Sequence, residues 1–230
     1  MLGKLLRREE VDLQSLRRMM TPSVIYMMIY LLWWFLLEQM PRARYTVIHM
    51  TVDDYIPFME VFVVPYLFWF FYITGTVCYF MLTGQKEDYY RLITFLFTGM
   101  TVFLIVSTFA PNIHYLRPHF MQRSNLFTAL VRGLYRADTA TNLWPSIHVY
   151  NSIGAHISVM CSERLEENHT VRRASFVTCV LITLSTMFIK QHSFFDVLTA
   201  IAMSVVFYAV VYRTDLWMKQ AKRMVSYVRR

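Results

Sequence analysis

The chain has 230 residues, 56% of them hydrophobic and 17% aromatic, with a mean hydropathy of +0.36. Charged residues make up 17%, against about 25% in soluble domains, which excludes an ordinary globular enzyme; so apolar a chain is not disordered either. A formal charge of +8 fits a nucleic acid or an anionic membrane surface, and the placement of the basic residues decides between them.

The first 20 residues are too charged to contain the apolar region of a signal peptide. Leu2, Leu5, Leu6, Leu13, Leu16 and Met20 recur among Lys and Arg at three-to-four-residue spacing, which predicts an amphipathic helix lying on a membrane surface. A helix crosses the hydrocarbon layer with about 20 mostly apolar residues, because its backbone polar groups must be satisfied within the segment. Six runs qualify: Ser23 to Met40, Val61 to Leu82, Leu92 to Ala110, Trp144 to Cys161, Ala174 to Ile189 and Phe194 to Tyr212. The fourth is the most polar, with Asn151 and His156 inside it. The expected fold is therefore all-α and polytopic: an interfacial helix over residues 1–20, a six-span bundle over 21–213 and a basic tail over 214–230.

Cys78, Cys161 and Cys179 stand singly in apolar runs and form neither a disulfide framework nor a zinc motif. Six spans put both termini on one side of the membrane. Sixteen of the 23 basic residues fall on that side, leaving Arg42, Arg44, Arg117, Arg123, Arg132, Arg136 and Lys190 on the other. Both termini are thus expected in the cytoplasm, and topology alone accounts for the basic excess, so no nucleic-acid partner is needed. The longest polar connection, residues 111–143, lies on the outer side and is longer than structureless connectors usually are.

Titratable groups near membrane depth are costly and mark functional sites. Three clusters stand at expected span ends, all on the outer side: Leu116-Arg117-Pro118-His119, Pro145-Ser146-Ile147-His148, and His192-Ser193-Phe194-Phe195-Asp196, preceded by Lys190 and Gln191. The spacing of His192 and Asp196 sets carboxylate and imidazole on one helix face. Asp196 can then fix the tautomer of His192 and leave its other nitrogen as a nucleophile or base. Ser146 and the first-turn amides of the fourth helix can bind an oxyanion. His148 is a second imidazole, able to protonate a leaving group, and Arg117 offers a fork-shaped donor suited to phosphate. Asp53 and Asp54 read as a solvated loop pair, His114 and His119 as neighbours of the site, and His156 as a hydrogen-bonded packing residue. His49 and His169 read as loop residues.

These motifs resemble those of the type-2 phosphatidic acid phosphatase superfamily, which includes lipid phosphate phosphatases, lipid phosphotransferases and vanadium haloperoxidases. The family pattern is a Lys six residues before Arg-Pro, then Pro-Ser-x-His, then Ser-Arg-x5-His-x3-Asp. The second motif is intact as Pro145-Ser146-Ile147-His148. The third keeps Ser185, His192 and Asp196 but has Thr186 at the Arg position, and the first keeps Arg117-Pro118 with Ala110 at the Lys position. The resemblance implies that His192 attacks phosphorus, Asp196 orients it, and His148 protonates the leaving alkoxide and then activates the acceptor. It implies further that Ser146 and Arg117 hold the phosphoryl oxygens, with Lys190 or another loop cation in place of the lost charges. The pattern is closer to the sphingomyelin and inositol phosphorylceramide synthase branch. The segment Asp53-Asp54-Tyr55-Ile56-Pro57-Phe58, followed by Val64-Pro65-Tyr66, is similar to one found before the second span in bacterial relatives of that branch.

The expected partners are a membrane lipid, phosphatidic acid or another phospholipid, and a lipid alcohol or water as acceptor. No cofactor is expected, and no metal, since no three ligands stand at metal-site spacing. Two other functions fit parts of the sequence: a transporter relaying protons through His148, His156, His192 and Asp196, and a catalytically silent relative that binds lipid. A transporter of this size usually shows repeats with helices broken at mid-bilayer, whereas these groups gather at one face. The lipid, the acceptor and the oligomeric state are left open.

Overall fold

The computed structural model describes residues 13–40, 42, 44–83 and 85–214. The helices are α1 (Leu13–Gln39), α2 (Thr51–Tyr55), α3 (Val63–Leu82), α4 (Lys86–Phe109), α5 (Leu126–Ala137), α6 (Ile147–Cys161), α7 (His169–Phe188) and α8 (Phe194–Tyr208). A 3₁₀ turn, Glu60–Phe62, leads into α3, a second, Glu163–Leu165, links α6 to α7, and a π-helical turn, Ala209–Arg213, continues α8. The only strands among the described residues are β1 (Thr46–Val47) and β2 (Asn112–Ile113), paired in parallel with Thr46 opposite Asn112.

Five stretches are long and apolar enough to cross a membrane: Leu16–Gln39, Glu60–Leu82, Lys86–Phe109, His169–Phe188 and Phe194–Arg213. They turn large apolar side chains outward, among them Ile25, Phe35, Phe68, Phe71, Val177 and Val205. A water-soluble protein does not leave such faces bare; this is a helical membrane protein. The fourth expected span is α6, whose 15 residues rise only about 22 Å at 1.5 Å per residue, short of the hydrocarbon thickness. It lies in the middle of the bundle, packed against α3, α4, α7 and α8.

Two glycines set how closely α6 approaches α4. A Cβ on Gly99 of α4 would collide with the Tyr150 ring, and one on Gly154 of α6 would stand 2.5 Å from Phe95 Cδ1. In the space they leave, Phe95 and Tyr150 stack with centroids 4.6 Å apart, and the Tyr150 hydroxyl donates to the Phe95 carbonyl at 2.9 Å. Small residues at a helix crossing allow this approach where lipid supplies no hydrophobic drive.

Of the expected interfacial helix, residues 1–12 lie outside the described residues. Leu13 to Met20 form the first turns of α1 with no break before the first apolar run. The expected basic tail, Thr214 apart, also lies outside them. The long connection 111–143 is not structureless: it contains α5, which buries Thr128 and Val131 and leaves Arg132 and Arg136 exposed. Asn125 starts α5 by accepting from the Thr128 amide at 2.9 Å, a side-chain cap of the usual kind.

The connections after α1, α4 and α7 meet at one end of the bundle. β1 binds β2, the His114 amide donates to the Ala140 carbonyl at 3.2 Å, and Asn112 Oδ1 accepts the Leu143 and Trp144 amides at 2.8 and 3.1 Å. The candidate site lies among these connections.

Candidate active site

The site rests on the N-termini of α6 and α8. Ser146 caps α6, accepting from the Val149 amide at 3.4 Å, and its own amide points to the Asp196 carbonyl at 3.5 Å. Ser193 caps α8: its hydroxyl accepts from the Phe195 amide at 3.2 Å, while Asp196 Oδ2 accepts the Ser193 amide at 3.0 Å. This reciprocal capping box is the reason Asp196 faces back along its helix toward His192.

His192 Nδ1 stands 3.4 Å from Asp196 Oδ2, and His192 Nε2 stands 3.5 Å from His148 Nδ1. Asp196 is fully buried and His192 is 5% exposed. With Nδ1–H donating to the carboxylate, Nε2 carries the lone pair, and His148 presents its Nδ1 to that lone pair. The expected trio of His148, His192 and Asp196 thus comes together in one row. The rings of Tyr66 and Trp69 flank His148, each with its centroid 4.6 Å from the imidazole.

The turn bearing His192 is held from several directions. The Thr186 carbonyl accepts from the amides of Gln191 and His192 at 2.9 and 3.0 Å. The Tyr135 hydroxyl donates to the Ile189 carbonyl at 2.5 Å, and His114 Nε2 meets the Gln191 carbonyl at 3.0 Å. His114 Nδ1 accepts the Leu116 amide at 3.2 Å, so only the neutral Nε2–H tautomer satisfies both contacts. Burial pushes the His114 pKa down to about 4, which keeps it in that form.

Arg117 anchors the same turn. Its Nη1 donates to the Tyr135 carbonyl at 3.2 Å; its Nη2 donates to the carbonyls of Asp138 and Thr139, each at 2.9 Å, and to Gln191 Oε1 at 2.5 Å. Its guanidinium lies 4.4 Å from the Tyr135 ring centroid, and Nε is buried with no partner. Gln191 Nε2 donates to Asp138 Oδ2 at 3.0 Å. Burial raises the Asp138 carboxyl above its usual range, opposed by its neighbours His192 and Arg117 and by the Gln191 hydrogen bond. Burial lowers Arg117, opposed chiefly by Asp138.

Lys190, with φ of 53°, sends its ammonium to the Asp53 carbonyl at 2.7 Å. Burial lowers its pKa, and Asp53 and Asp54 oppose that shift. Of the three residues expected to hold phosphate, Ser146 lies at the N-terminus of the His148 helix, while Arg117 and Lys190 spend donors on the frame around His192. Arg123 is exposed and reaches Glu60 at 3.4 Å.

Asp53 departs from the expected solvated pair. It is 1% exposed and accepts from Ser193 Oγ at 2.6 Å, the Phe194 amide at 2.7 Å and the Met50 amide at 2.8 Å. Only Asp54 behaves as a surface acid, meeting His49 at 2.8 Å. His119 is exposed. His156 lies 3.0 Å from the Ser175 hydroxyl, the hydrogen-bonded role expected for it.

Compared with known proteins, the chain matches no family model, no curated protein and no solved structure.

Proposed function

We propose that the chain is an integral-membrane lipid phosphatase or phosphotransferase of the type-2 phosphatidic acid phosphatase kind, working through a phosphohistidine. The observation that carries this reading is the row Asp196, His192, His148, in which one ring nitrogen of His192 faces a carboxylate and the other faces a second imidazole. Asp196 holds the Nδ1 proton and makes Nε2 the nucleophile. Nε2 attacks phosphorus, the bond from phosphorus to the alkoxide oxygen breaks, and His148 gives that oxygen its proton. His148 then takes a proton from water or a lipid alcohol, whose oxygen attacks phosphorus and releases neutral His192.

Ser146 and the first-turn amides of α6 take phosphoryl oxygens in this reading. Arg117 offers its unpartnered Nε, and Lys190 reaches the phosphate by exchanging its bond to the Asp53 carbonyl. α6 completes a six-helix bundle, both termini are cytoplasmic and the site opens on the outer face.

A catalytically silent lipid-binding protein is the second reading, favoured by the engagement of Arg117 and Lys190 with protein carbonyls. The test is release of phosphate from phosphatidic acid, and headgroup transfer from a phospholipid to a lipid alcohol, by the detergent-purified chain in excess chelator. Turnover that is absent from His192→Ala supports the enzyme. Turnover undiminished in His192→Ala overturns it, and lipid binding without turnover or adduct supports the second reading.

A further inference from the structure

We propose that Asp53 is a positioning residue for His192, acting through Ser193; this rests on the reading of His192 as the nucleophile. Asp53 lies on α2, 140 positions before Ser193 in the chain, in a loop that carries no other part of the site. Its carboxylate nevertheless faces the N-terminus of α8. Oδ1 accepts the Phe194 amide at 2.7 Å, while Oδ2 accepts the Ser193 hydroxyl at 2.6 Å and the Met50 amide at 2.8 Å. Its carbonyl holds the Lys190 ammonium at 2.7 Å. The residues it grips, Lys190, Ser193 and Phe194, bracket His192 on both sides.

The consequence runs along a short chain of bonds. With its hydroxyl fixed on Asp53, Ser193 aims its amide at Asp196 Oδ2, the same oxygen that faces His192 Nδ1. Asp53 therefore sets the entry of α8, the entry sets Asp196, and Asp196 sets the imidazole. A buried carboxylate at a helix N-terminus is also favoured there by the helix dipole. Asp54, the next residue, carries the same charge but is exposed and meets His49 at 2.8 Å, with no hydrogen bond to Ser193 or Phe194 among the described residues, so it serves as an internal control.

The experiment compares full-length Asp53→Asn, Asp53→Ala, Asp54→Asn, Ser193→Ala and Ser193→Thr with the parent chain in detergent. Two readouts are taken: kcat and KM for phosphatidic acid, and the rate at which diethyl pyrocarbonate labels His192, mapped by mass spectrometry with exposed His49 and His119 as references. Misplacing a reacting group by about 1 Å costs on the order of 10²-fold in rate. The expected result is a kcat fall of that size in Asp53→Asn and Ser193→Ala, with KM within about threefold and His192 labelling altered severalfold. Ser193→Thr, which keeps the hydroxyl, and Asp54→Asn are expected to stay near the parent. If Asp53→Ala fails to fold, Asp53→Asn carries the comparison, because its carboxamide oxygen still accepts an amide. Unchanged His192 labelling in both Asp53→Asn and Ser193→Ala overturns the proposal. Labelling does not require turnover, so an inactive parent chain would refute the catalytic reading while the labelling still decides the role of Asp53.

Discussion

Asp196 Oδ2 stands 3.4 Å from His192 Nδ1 while accepting the Ser193 amide at 3.0 Å. One oxygen thus faces the imidazole and completes the capping box of α8, the helix that begins just after His192. Asp196→Asn separates the two tasks, because a carboxamide oxygen still caps but no longer favours the required tautomer. Activity is expected to fall on the order of 10³- to 10⁴-fold, with the melting temperature nearly unchanged. Asp196→Ala also removes the acceptor of the Ser193 amide, the second half of the capping box. Parent-level turnover in Asp196→Asn would remove the carboxylate from the mechanism.

His148 is expected to matter according to the leaving group. A lipid alkoxide needs a proton as it departs, a contribution of about 10²- to 10⁴-fold, whereas a nitrophenolate does not. With an aryl phosphate, His148→Ala should release about one equivalent of phenolate and then stall, leaving an adduct on His192 visible by mass spectrometry. Equal losses on lipid and aryl substrates, with no burst, would contradict the acid role.

His114 makes stability depend on acidity. Its folded pKa of about 4 lies below the ordinary 6.5, so the unfolded chain binds the extra proton between those values and the contribution is lost as pH falls through that window. It is complete above about pH 6.5 and on the order of 3 kcal/mol at most. Thermal unfolding from pH 7.5 to 4.5 should show the decline, and His114→Gln should flatten it. An unchanged slope in the variant would show that other groups cause the decline.

Gly99→Ala tests the crossing of α4 and α6. The added methyl meets the Tyr150 ring, and overpacking of this kind costs about 1–3 kcal/mol. Gly75→Ala in α3 meets nothing within 4 Å and should unfold like the parent. Equal melting temperatures for the two variants would mean that the Tyr150 ring moves aside without cost.

Much of the fold was readable because lipid imposes a length and a composition that leave a plain mark on sequence. The boundaries were less so: α4 starts at Lys86 rather than Leu92, since Lys86, Glu87, Asp88 and Arg91 in its first turns dilute the apolar run. α5 was missed, because within a polar connection its buried positions are few. The pairing of His192 with Asp196 is local, so four-residue spacing revealed it. Asp53 could not be told from Asp54 by its neighbours in sequence, because the Ser193 hydroxyl that it accepts from arrives 140 positions later. Arg117 had the chemistry of a phosphate ligand, yet which acceptors its donors meet depends on where Tyr135, Asp138 and Gln191 fall in three dimensions.

The shortness of α6 bears on how the protein is made. A 15-residue helix containing Asn151, Ser152, Ser158 and His156 gains too little from lipid to settle there by itself, and it becomes comfortable only between neighbours that arrive before and after it. α8 follows α6 in the chain, with Asp196 in its first turn and His192 in the turn just before it. The row of His148, His192 and Asp196 is therefore assembled only when α8 joins the helices made before it.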